Sequence, residues 1–454
     1  MTESTDRGFG TVLSNPHFRS LWLAQLMAQT SQHAIHFIQM VLVEKLTGSA
    51  THLGITILAF TVPGILFSPI AGVVVDRFPK KWILLGSNIT RVFFALSYIL
   101  ILNQLEGAWR LIAIYVITFL TSTLAQFFSP AEGATIPLLV GEKHLLTANS
   151  LFTLTIAAAQ IIGLMVLGPL SISLLRVEGG FIVVAVLYLI ATIAVSTLPR
   201  DKPAARVTAA VSPWAQLWGD IRESLQFVSG QRRIQAALLQ LAVIATMIMI
   251  MAMLAPGYAA RVLGMSAEDA VIVFAPAGVG MLLAIGLTGR WGHLLRRVGF
   301  DYLGLILTGL AFAGMGWMAL GYDRLMRPIL QLYPNAGLSL TSATMALAFV
   351  LGLCLAGVNI LAQTLLQQQS PPFIRGRVLA MQFTLSNLIG IPPMLALGIL
   401  ADAIGIPRAM EIVGLIAIGM AILSMLVQRM PARVPSSLAG EAQEQDMAGP
   451  TKVI

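Results

Sequence analysis

Residues 72–81 read Gly72-Val73-Val74-Val75-Asp76-Arg77-Phe78-Pro79-Lys80-Lys81, a short charged turn between two long apolar stretches. Charges this dense stand out in a chain of which 11% of residues are charged and 57% are hydrophobic. The mean hydropathy is +0.84. Because a soluble domain carries about one-quarter charged residues, this composition indicates a polytopic membrane protein.

Apolar runs on both sides of the turn are long enough to cross a hydrocarbon core, which takes about 20 helical residues. Backbone groups in lipid must be paired within each segment, and the alternating strands of a β-barrel are not visible. The sequence therefore predicts an all-α fold of about twelve transmembrane helices in two pseudo-symmetric six-helix bundles. The runs lie at 18–43, 51–75, 82–104, 109–128, 147–173, 180–199, 233–258, 269–290, 300–320, 338–366, 377–401 and 408–429.

A long polar loop between the sixth and seventh runs divides the chain into two halves. Its apolar residues recur at helical spacing, which predicts an amphipathic helix at the membrane interface that ties the halves together or binds a partner. Two stretches of equal spacing, Gln160–Gly163 and Asn387–Gly390, indicate an internal repeat. The predicted units are a tail at 1–17, a bundle at 18–199, a linker at 200–232, a bundle at 233–430 and a tail at 431–454.

Most Lys and Arg residues fall on the side of the two termini, so the positive-inside rule places both termini in the cytoplasm. The net charge of +8 then reflects topology and acidic inner-leaflet lipid, and no nucleic-acid partner is expected. The first apolar run has no signal-peptide cleavage site. We expect a multi-pass protein of the cell membrane.

The pattern Gly-x-x-x-Asp-Arg-x-x-Lys-Lys resembles the loop between helices 2 and 3 of major facilitator superfamily transporters. Phe127–Ala131 and Leu145–Leu151 resemble the cytoplasmic turn and fifth-helix entry of the drug/macrolide and enterobactin-type exporter branch. Arg375–Val378 resembles the start of its helix 11. The resemblance implies efflux by an antiporter. It also implies a conformational latch between the halves, formed by Gly72, Asp76, Arg77, Lys80, Lys81 and Gly376.

Six polar residues of the first run fall within a sector of roughly 120° on a helix. They are Gln25, Gln29, Gln32, His33, His36 and Gln39. Lipid cannot accommodate this stripe, so it forms either a hydrogen-bonded seam between helices or a substrate pathway. In the family, helices 1 and 10 line the cavity, and the tenth run carries Asn359, Gln363 and Gln367 at spacings of four.

Acidic residues cluster near the membrane faces, and the sequence places Glu132 in a cytoplasmic segment and no carboxylate at mid-membrane. His33 and His36 are therefore the candidates for proton coupling, because imidazole titrates near neutrality. A neutral hydrogen-bonding role is the alternative. Arg91, about 15 Å into the third helix, is an embedded charge that either pairs or snorkels, or contacts substrate.

Motifs of enzymes and ATP-driven pumps are missing: there is no nucleotide-binding P-loop, metal-spaced cluster or Gly-x-Ser-x-Gly elbow. We therefore expect no enzymatic activity, no cofactor and no metal. The predicted function is secondary active transport of a small amphipathic molecule, drug-like or siderophore-like, by a monomer that uses a proton or other ion gradient. The alternatives are a lysolipid flippase, a solute importer, and a non-transporting membrane sensor or assembly factor.

Overall fold

The computed structural model describes residues 9–141, 144–200, 228, 231–297, 299–332, 339–370 and 372–429, and at Asp76, Gly376 and some other positions the backbone alone. All regular structure in these ranges is helical. A π-helical turn spans Ile162–Leu167, and a 3₁₀ turn spans Ala267–Asp269. The helices are α1 (Phe9–Leu13), α2 (Pro16–Thr47), α3 (Ala50–Arg77), α4 (Lys80–Gln104), α5 (Gly107–Val140), α6 (Leu145–Ile161), α7 (Gly168–Ser196), α8 (Arg232–Arg261), α9 (Ala270–Arg297), α10 (Phe300–Leu332), α11 (Leu340–Gln369), α12 (Pro372–Ile404) and α13 (Ile406–Arg429).

Nine segments in the described ranges are long and apolar enough to cross a membrane. One of them, Leu145–Ser196, has 52 residues, more than twice the length that a crossing needs. It is interrupted at Arg176, which has φ 64° and ψ −179°, and it therefore makes two crossings. With α2 and α12, this gives twelve crossings, as the sequence predicts.

Two contacts show that the chain turns back at Arg176. Gly168, before Arg176, packs against Phe37 of α2, and Gly180, after Arg176, packs against the neighbouring residue Ile38. Helices α2–α7 form one six-helix bundle and α8–α13 form the second. The predicted repeat makes equivalent contacts in the two bundles. Gly163 lies against Thr30 of α2, and Gly390 lies against Thr246 of α8.

We name the two ends of the bundles by their loops. The terminal face carries the start of α2, the charged turn between α3 and α4, and the end of α13. The distal face carries the turn between α2 and α3, the segment between α8 and α9, and the turn between α12 and α13. The predicted amphipathic linker helix lies outside the described residues, except for Val228, which is buried beside Ile234 and Leu238. The predicted C-terminal tail also lies outside them.

Helix α5 corrects one prediction. The sequence interprets Phe127–Ala131 as a cytoplasmic turn, but the helix continues through Pro130 and Pro137 to Val140. A membrane helix tolerates proline where neighbouring helices stabilise it, and the buried face of α5 continues through Phe128, Glu132 and Thr135. Glu132 therefore lies on a helix and inside the bundle, where it is 4% exposed, instead of in a cytoplasmic turn.

The close approach of α2 to the π turn depends on Gly163. A Cβ atom there would lie 2.5 Å from the Thr30 carbonyl oxygen and 2.8 Å from His33 Cβ. Backbone atoms cannot yield cheaply, so we expect Gly163→Ala to destabilise the protein by about 1–3 kcal/mol, as overpacking does. The midpoint of thermal unfolding in detergent should fall by several degrees.

Gly86→Ala is the matched control, because a Cβ atom on Gly86 meets nothing within 4 Å. Alanine favours the helix over glycine by about 1 kcal/mol, so this variant should unfold at the same or a slightly higher temperature. Equal midpoints for the two variants would show that α2 and the π turn are not tightly packed.

Candidate functional site

A cavity of about 380 Å³ lies between the two bundles, and we call it the central cavity. Its walls come from α2, α3, α6 and the π turn on one side, and from α8, α9 and α11 on the other. Most of the lining is apolar, and the polar exceptions are His33, His36 and Gln160. This volume lies within the usual range of ligand pockets, about 300–1,000 Å³.

The predicted stripe on α2 divides into a part at the cavity and a part inside the bundle. His33 and His36 line the central cavity, and the His36 ring stacks on Phe60 with 4.3 Å between ring centroids. Tyr188 donates its hydroxyl hydrogen to Gln32 Oε1 over 3.2 Å. Because this contact orients the amide, Gln32 Nε2 donates to His36 Nε2, 2.7 Å away.

The two ends of the stripe make contacts within the bundle. Gln39 is buried and donates to the Tyr98 hydroxyl over 2.7 Å. Gln25 is buried as well and makes a long contact of 3.5 Å with the Phe152 carbonyl. Gln29 is half-buried. Gln25 and Gln39 therefore make contacts of the kind expected in a seam between helices. His33 and His36 lie at the central cavity, where the residues of a substrate pathway are expected.

The second predicted stripe lies on α11 beside the central cavity. Gly352 and Leu355 line the cavity, and Asn359 and Gln363 follow Leu355 at spacings of four toward the terminal face. Asn359 and Gln367 are exposed, and Gln363 is half-buried. Exposed polar side chains at membrane depth are favourable only where they face water.

The fifth crossing brings a backbone irregularity to the cavity wall. Leu164 and Met165 belong to the π turn, and both line the cavity. Such π turns are rare and often occur at functional sites. Pro169 has no N–H group to continue the regular ladder, which gives a local reason for the irregularity. The hydrophobic pattern carries no sign of it.

Ion pairs close the distal face between the two bundles. Arg261 of α8 contacts Glu44 of α2 through Nε at 3.1 Å and Asp402 of α12 through Nη1 at 3.7 Å. Lys45 pairs with Glu268 at 3.0 Å. We call Glu44, Lys45, Arg261, Glu268 and Asp402 the distal gate. The Glu44–Arg261 pair and the Lys45–Glu268 pair each connect the first bundle to the second.

Asp402 also binds the first turn of α3 across the bundle interface. Its carboxylate accepts from the backbone N–H groups of Ala50 and Thr51, at 2.7 and 2.9 Å. It also accepts from the hydroxyls of Ser49 and Thr51, each at 2.6 Å. A negative charge at a helix N-terminus is favourable because that end carries a partial positive charge. The sequence predicts acidic residues near the membrane faces, but its spacing does not pair Glu44 and Asp402 with Arg261.

The predicted latch at the terminal face is only partly described. Asp76 and Gly376 lie within α3 and α12, but their side-chain surroundings are outside the described residues. Gly72 has open space around it, Arg77 is exposed and Lys80 is buried. Lys81 donates to the carbonyl oxygens of Ser196 and Leu198, so it binds the C-terminal end of α7 within its own bundle.

Arg91 is enclosed and does not snorkel. It is 2% exposed, and its guanidinium lies over the rings of Phe128 and Tyr188, at 5.3 and 5.5 Å from their centroids. It does not line the central cavity, so the pairing interpretation fits its position better than substrate contact.

A larger cavity of about 800 Å³ lies within the second bundle, between α8, α12 and α13. Its lining is almost entirely apolar and comes from one bundle, as expected for a surface that lipid chains cover. The central cavity is the better candidate for a substrate site, because both bundles and two histidines contribute to it.

Comparison with known proteins agrees with this architecture. The profile described as Major Facilitator Superfamily matches residues 21–392. The chain belongs to the major facilitator superfamily. Its relatives include the Bacillus subtilis (strain 168) protein named Uncharacterized MFS-type transporter YfiS, 26% identical over 387 residues, or 84% of this chain and 86% of that protein. Macrolide efflux protein A of Streptococcus pyogenes is 27% identical over 128 residues, 28% of this chain and 31% of that protein.

Solved transporters of low sequence identity share the fold. The nucleoside transporter NupG superposes with a TM-score of 0.67 at 14% identity, over 91% of this chain and all of that one. A bacterial homologue of the human lysosomal transporter Spinster, in an inward-facing and unoccupied conformation, gives 0.67 at 13% identity, over 94% of this chain and 98% of that one. The chain is therefore a multi-pass membrane transporter of the major facilitator type.

The distal gate predicts a measurable closure of the distal face in this transporter. Asp402→Ala removes an acceptor that holds four hydrogen bonds from α3. Hydrogen bonds to a charged group contribute about 1.5–3 kcal/mol each. Each 1.4 kcal/mol changes the ratio of distal-closed to distal-open protein about tenfold. In a Cys354→Ser background, Met40→Cys in the cavity wall should react several-fold faster with an impermeant maleimide added at the distal side.

Asp269→Ala is the control, because Asp269 lies at the same face but accepts from Ser266 in its own turn. This variant should leave the labelling rate unchanged. If Asp402→Ala and Asp269→Ala label alike, the gate does not hold the distal face closed.

Proposed function

We propose that this transporter is a proton-coupled exporter of small amphipathic organic molecules that works by alternating access. The observation that carries the proposal is the central cavity: it lies between the bundles, and the distal gate closes one of its ends. The exposed polar side chains of the α11 stripe support an opening at the other end. Alternating access requires a cavity between the two halves that is closed at one end.

The positive-inside rule supports a terminal face on the cytoplasmic side of the cell membrane, with both termini in the cytoplasm. In that orientation a closed distal gate corresponds to an inward-facing state. The gate then closes the external face. For export, substrate enters the cavity from the cytoplasm or the inner leaflet and leaves after the distal gate has opened.

The cavity lining supports an amphipathic substrate. Apolar residues such as Phe60, Phe274 and Met251 surround the two histidines, so a largely apolar molecule with a few polar groups fits this surface. Methionine side chains adapt to several shapes. The likeness to macrolide efflux protein A makes a macrolide the first compound to test.

Transport by the purified protein tests this function directly. Reconstituted vesicles should accumulate the macrolide erythromycin when a pH gradient is imposed, and a protonophore should abolish the accumulation. Export in cells should lower susceptibility to the compound. Accumulation of a fluorescent lysolipid instead would favour the flippase alternative, uptake into cells would favour an importer, and sodium dependence would replace the proton. A sensor would move none of these compounds.

The histidines at the cavity predict a loss of coupling. His33 and His36 are the titratable groups among the residues that line the central cavity, and imidazole gains and loses protons near neutral pH. We expect the double variant His33→Gln, His36→Gln to bind substrate but to lose uphill accumulation by at least about tenfold. His17→Gln, at the exposed start of α2, should behave like the wild type.

Uphill accumulation by the double variant would show that both histidines have a neutral hydrogen-bonding role. The contact between Gln32 and His36 would then be structural. Binding is measured separately by equilibrium dialysis of the macrolide, so a variant that fails to bind is not mistaken for an uncoupled one.

The charged turn predicts a latch for the opposite, outward-facing state. We infer that Asp76 meets the N-terminal end of α12 near Gly376 when the terminal face closes, because that helix end carries a partial positive charge. Asp76→Asn should lower turnover several-fold and leave insertion intact. Asp269→Asn at the distal face serves as the control, and normal transport by normally expressed Asp76→Asn protein would contradict the latch.

A further inference from the structure

Two oppositely charged residues, Arg91 of α4 and Glu132 of α5, are enclosed inside the first bundle. They are 2% and 4% exposed. Enclosing a charge is costly unless it is paired or hydrated, and embedded charged residues in membrane proteins commonly serve transport. Neither residue lines the central cavity, so direct substrate contact does not account for them.

Arg91 is held by aromatic rings and leaves hydrogen-bond donors unused. Its guanidinium carbon lies over Phe128 and Tyr188, and cation–π contacts of this kind are favourable where water is excluded. Its Nε and Nη2 atoms have no hydrogen-bond partner among the described residues. The rings therefore fix the position of the cation, while its N–H groups remain available to another polar group.

Glu132 and Asn88 complete a polar cluster with Arg91. Helices α4 and α5 pack together in antiparallel directions. Because Arg91 lies beside Phe128, the residue one turn earlier on α4, Asn88, is level with Glu132, one turn later on α5. Asn88 is fully buried, and both of its amide atoms, like Glu132 Oε1, have no hydrogen-bond partner in the described part of the chain.

Arg91 and Glu132 lie about one helical turn apart, because Arg91 is beside Phe128 and Glu132 follows Phe128 by one turn on α5. The ion pairs within 4 Å among the described residues do not join them. A neutral carboxylic acid costs far less free energy to enclose than a carboxylate. Without a direct ion pair to offset that cost, the enclosed geometry favours the neutral acid at Glu132.

A chain of contacts connects this cluster to the central cavity. Tyr188, which lies against the Arg91 guanidinium, donates to Gln32 Oε1. Gln32 in turn donates to His36 Nε2, and His36 lines the cavity. Two hydrogen bonds and one ring contact therefore form a continuous route from Arg91 to His36.

We propose that Glu132 binds a second coupling proton, beside the one proposed for His33 and His36, with Arg91 as its counter-charge and Tyr188 and Gln32 as positioning residues that connect the pair to His36. The proton comes from water in the cavity when the distal face is open. It remains on Glu132 in the distal-closed state, and it returns to water at the terminal face. This assignment rests on the proposed proton-coupled transport and names a carboxyl group for it.

Other titratable groups lie near α5 but farther from Glu132. His52 of α3 contacts Tyr115 of α5 toward the distal face, and Lys80 and Lys81 begin α4 at the terminal face. Arg91 on α4 and Tyr188 on α7 face the cluster, and His36 on α2 is connected to it through Gln32. Helix α3 carries Asp76 and Arg77 at the terminal face, and α6 begins after His144 at the same face. Glu132 is the carboxyl group of the cluster itself.

The assignment predicts a titrating carboxyl group that can be observed without any substrate. Infrared difference spectra of the purified protein, recorded in lipid vesicles over an acid-to-alkaline series, should show the C=O stretch of a protonated carboxylic acid that disappears at high pH. Glu132→Gln should remove this band. Glu106→Gln should retain it, because Glu106 is exposed at the other end of the same helix.

The assignment also predicts the sign of a conformational pH dependence. Because Glu132 is protonated in the distal-closed state, low pH should favour that state and high pH should favour opening of the distal face. Labelling of Met40→Cys from the distal side, normalised to denatured protein at each pH, should rise with pH in an otherwise wild-type chain. One linked proton allows a change of up to about tenfold per pH unit. In Glu132→Gln the dependence should be lost.

Glu132→Gln leaves Arg91 without a counter-charge, so the double variant Arg91→Gln, Glu132→Gln provides a second test. Neutralising both partners of an enclosed pair is commonly tolerated, and the double variant should fold and label independently of pH. A retained infrared band, or wild-type pH dependence in either variant, overturns the assignment to Glu132. Both readouts are independent of erythromycin. If they succeed while vesicles show no proton-driven accumulation, the proposed transport has failed and the proton site stands.

Discussion

A polar group inside a membrane must bond to another polar group or face water, and this constraint organises the whole molecule. It explains why the described chain consists of helices, whose backbone groups are paired within each segment. It also explains where the polar side chains lie. Gln39 of α2 bonds to Tyr98 inside the bundle, His33 and His36 face the central cavity, and the charges of the distal gate lie at a membrane face.

The same constraint determines how much the sequence could predict. Twelve crossings and the division into two bundles follow from the lengths of the apolar runs. The α2 stripe was visible at helical spacing, but spacing cannot tell which of its residues meet a helix and which meet a cavity. That distinction depends on partners distant in sequence, such as Tyr188 for Gln32 and Tyr98 for Gln39.

Local rules failed where tertiary packing outweighed them. Pro130 was interpreted as a turn, yet neighbouring helices stabilise a continuous α5, and this error placed Glu132 in a cytoplasmic turn. The distal gate was missed because its members come from four separate segments. Gly163 and Gly390 were recognised as a repeat, and their contacts with Thr30 and Thr246 give that repeat a packing explanation.

These features form one account of movement. At the distal face, the gate and the Asp402 cap of α3 join the two bundles. The central cavity lies beneath this closure, and the enclosed cluster of Asn88, Arg91 and Glu132 lies behind its histidines. Opening the distal face requires separating the gate charges, and the proposed changes of charge at the histidines and Glu132 supply free energy for that step.

The most direct test of alternating access is a pair of spin-label distances measured in one lipid preparation. One pair joins Arg77 to Gln369 across the terminal face, and the other joins Glu106 to Asp269 across the distal face. On moving from acid to alkaline pH, or on adding erythromycin, the account predicts that the terminal distance shortens while the distal distance lengthens. Distances that stay constant, or that change in the same direction, would contradict it.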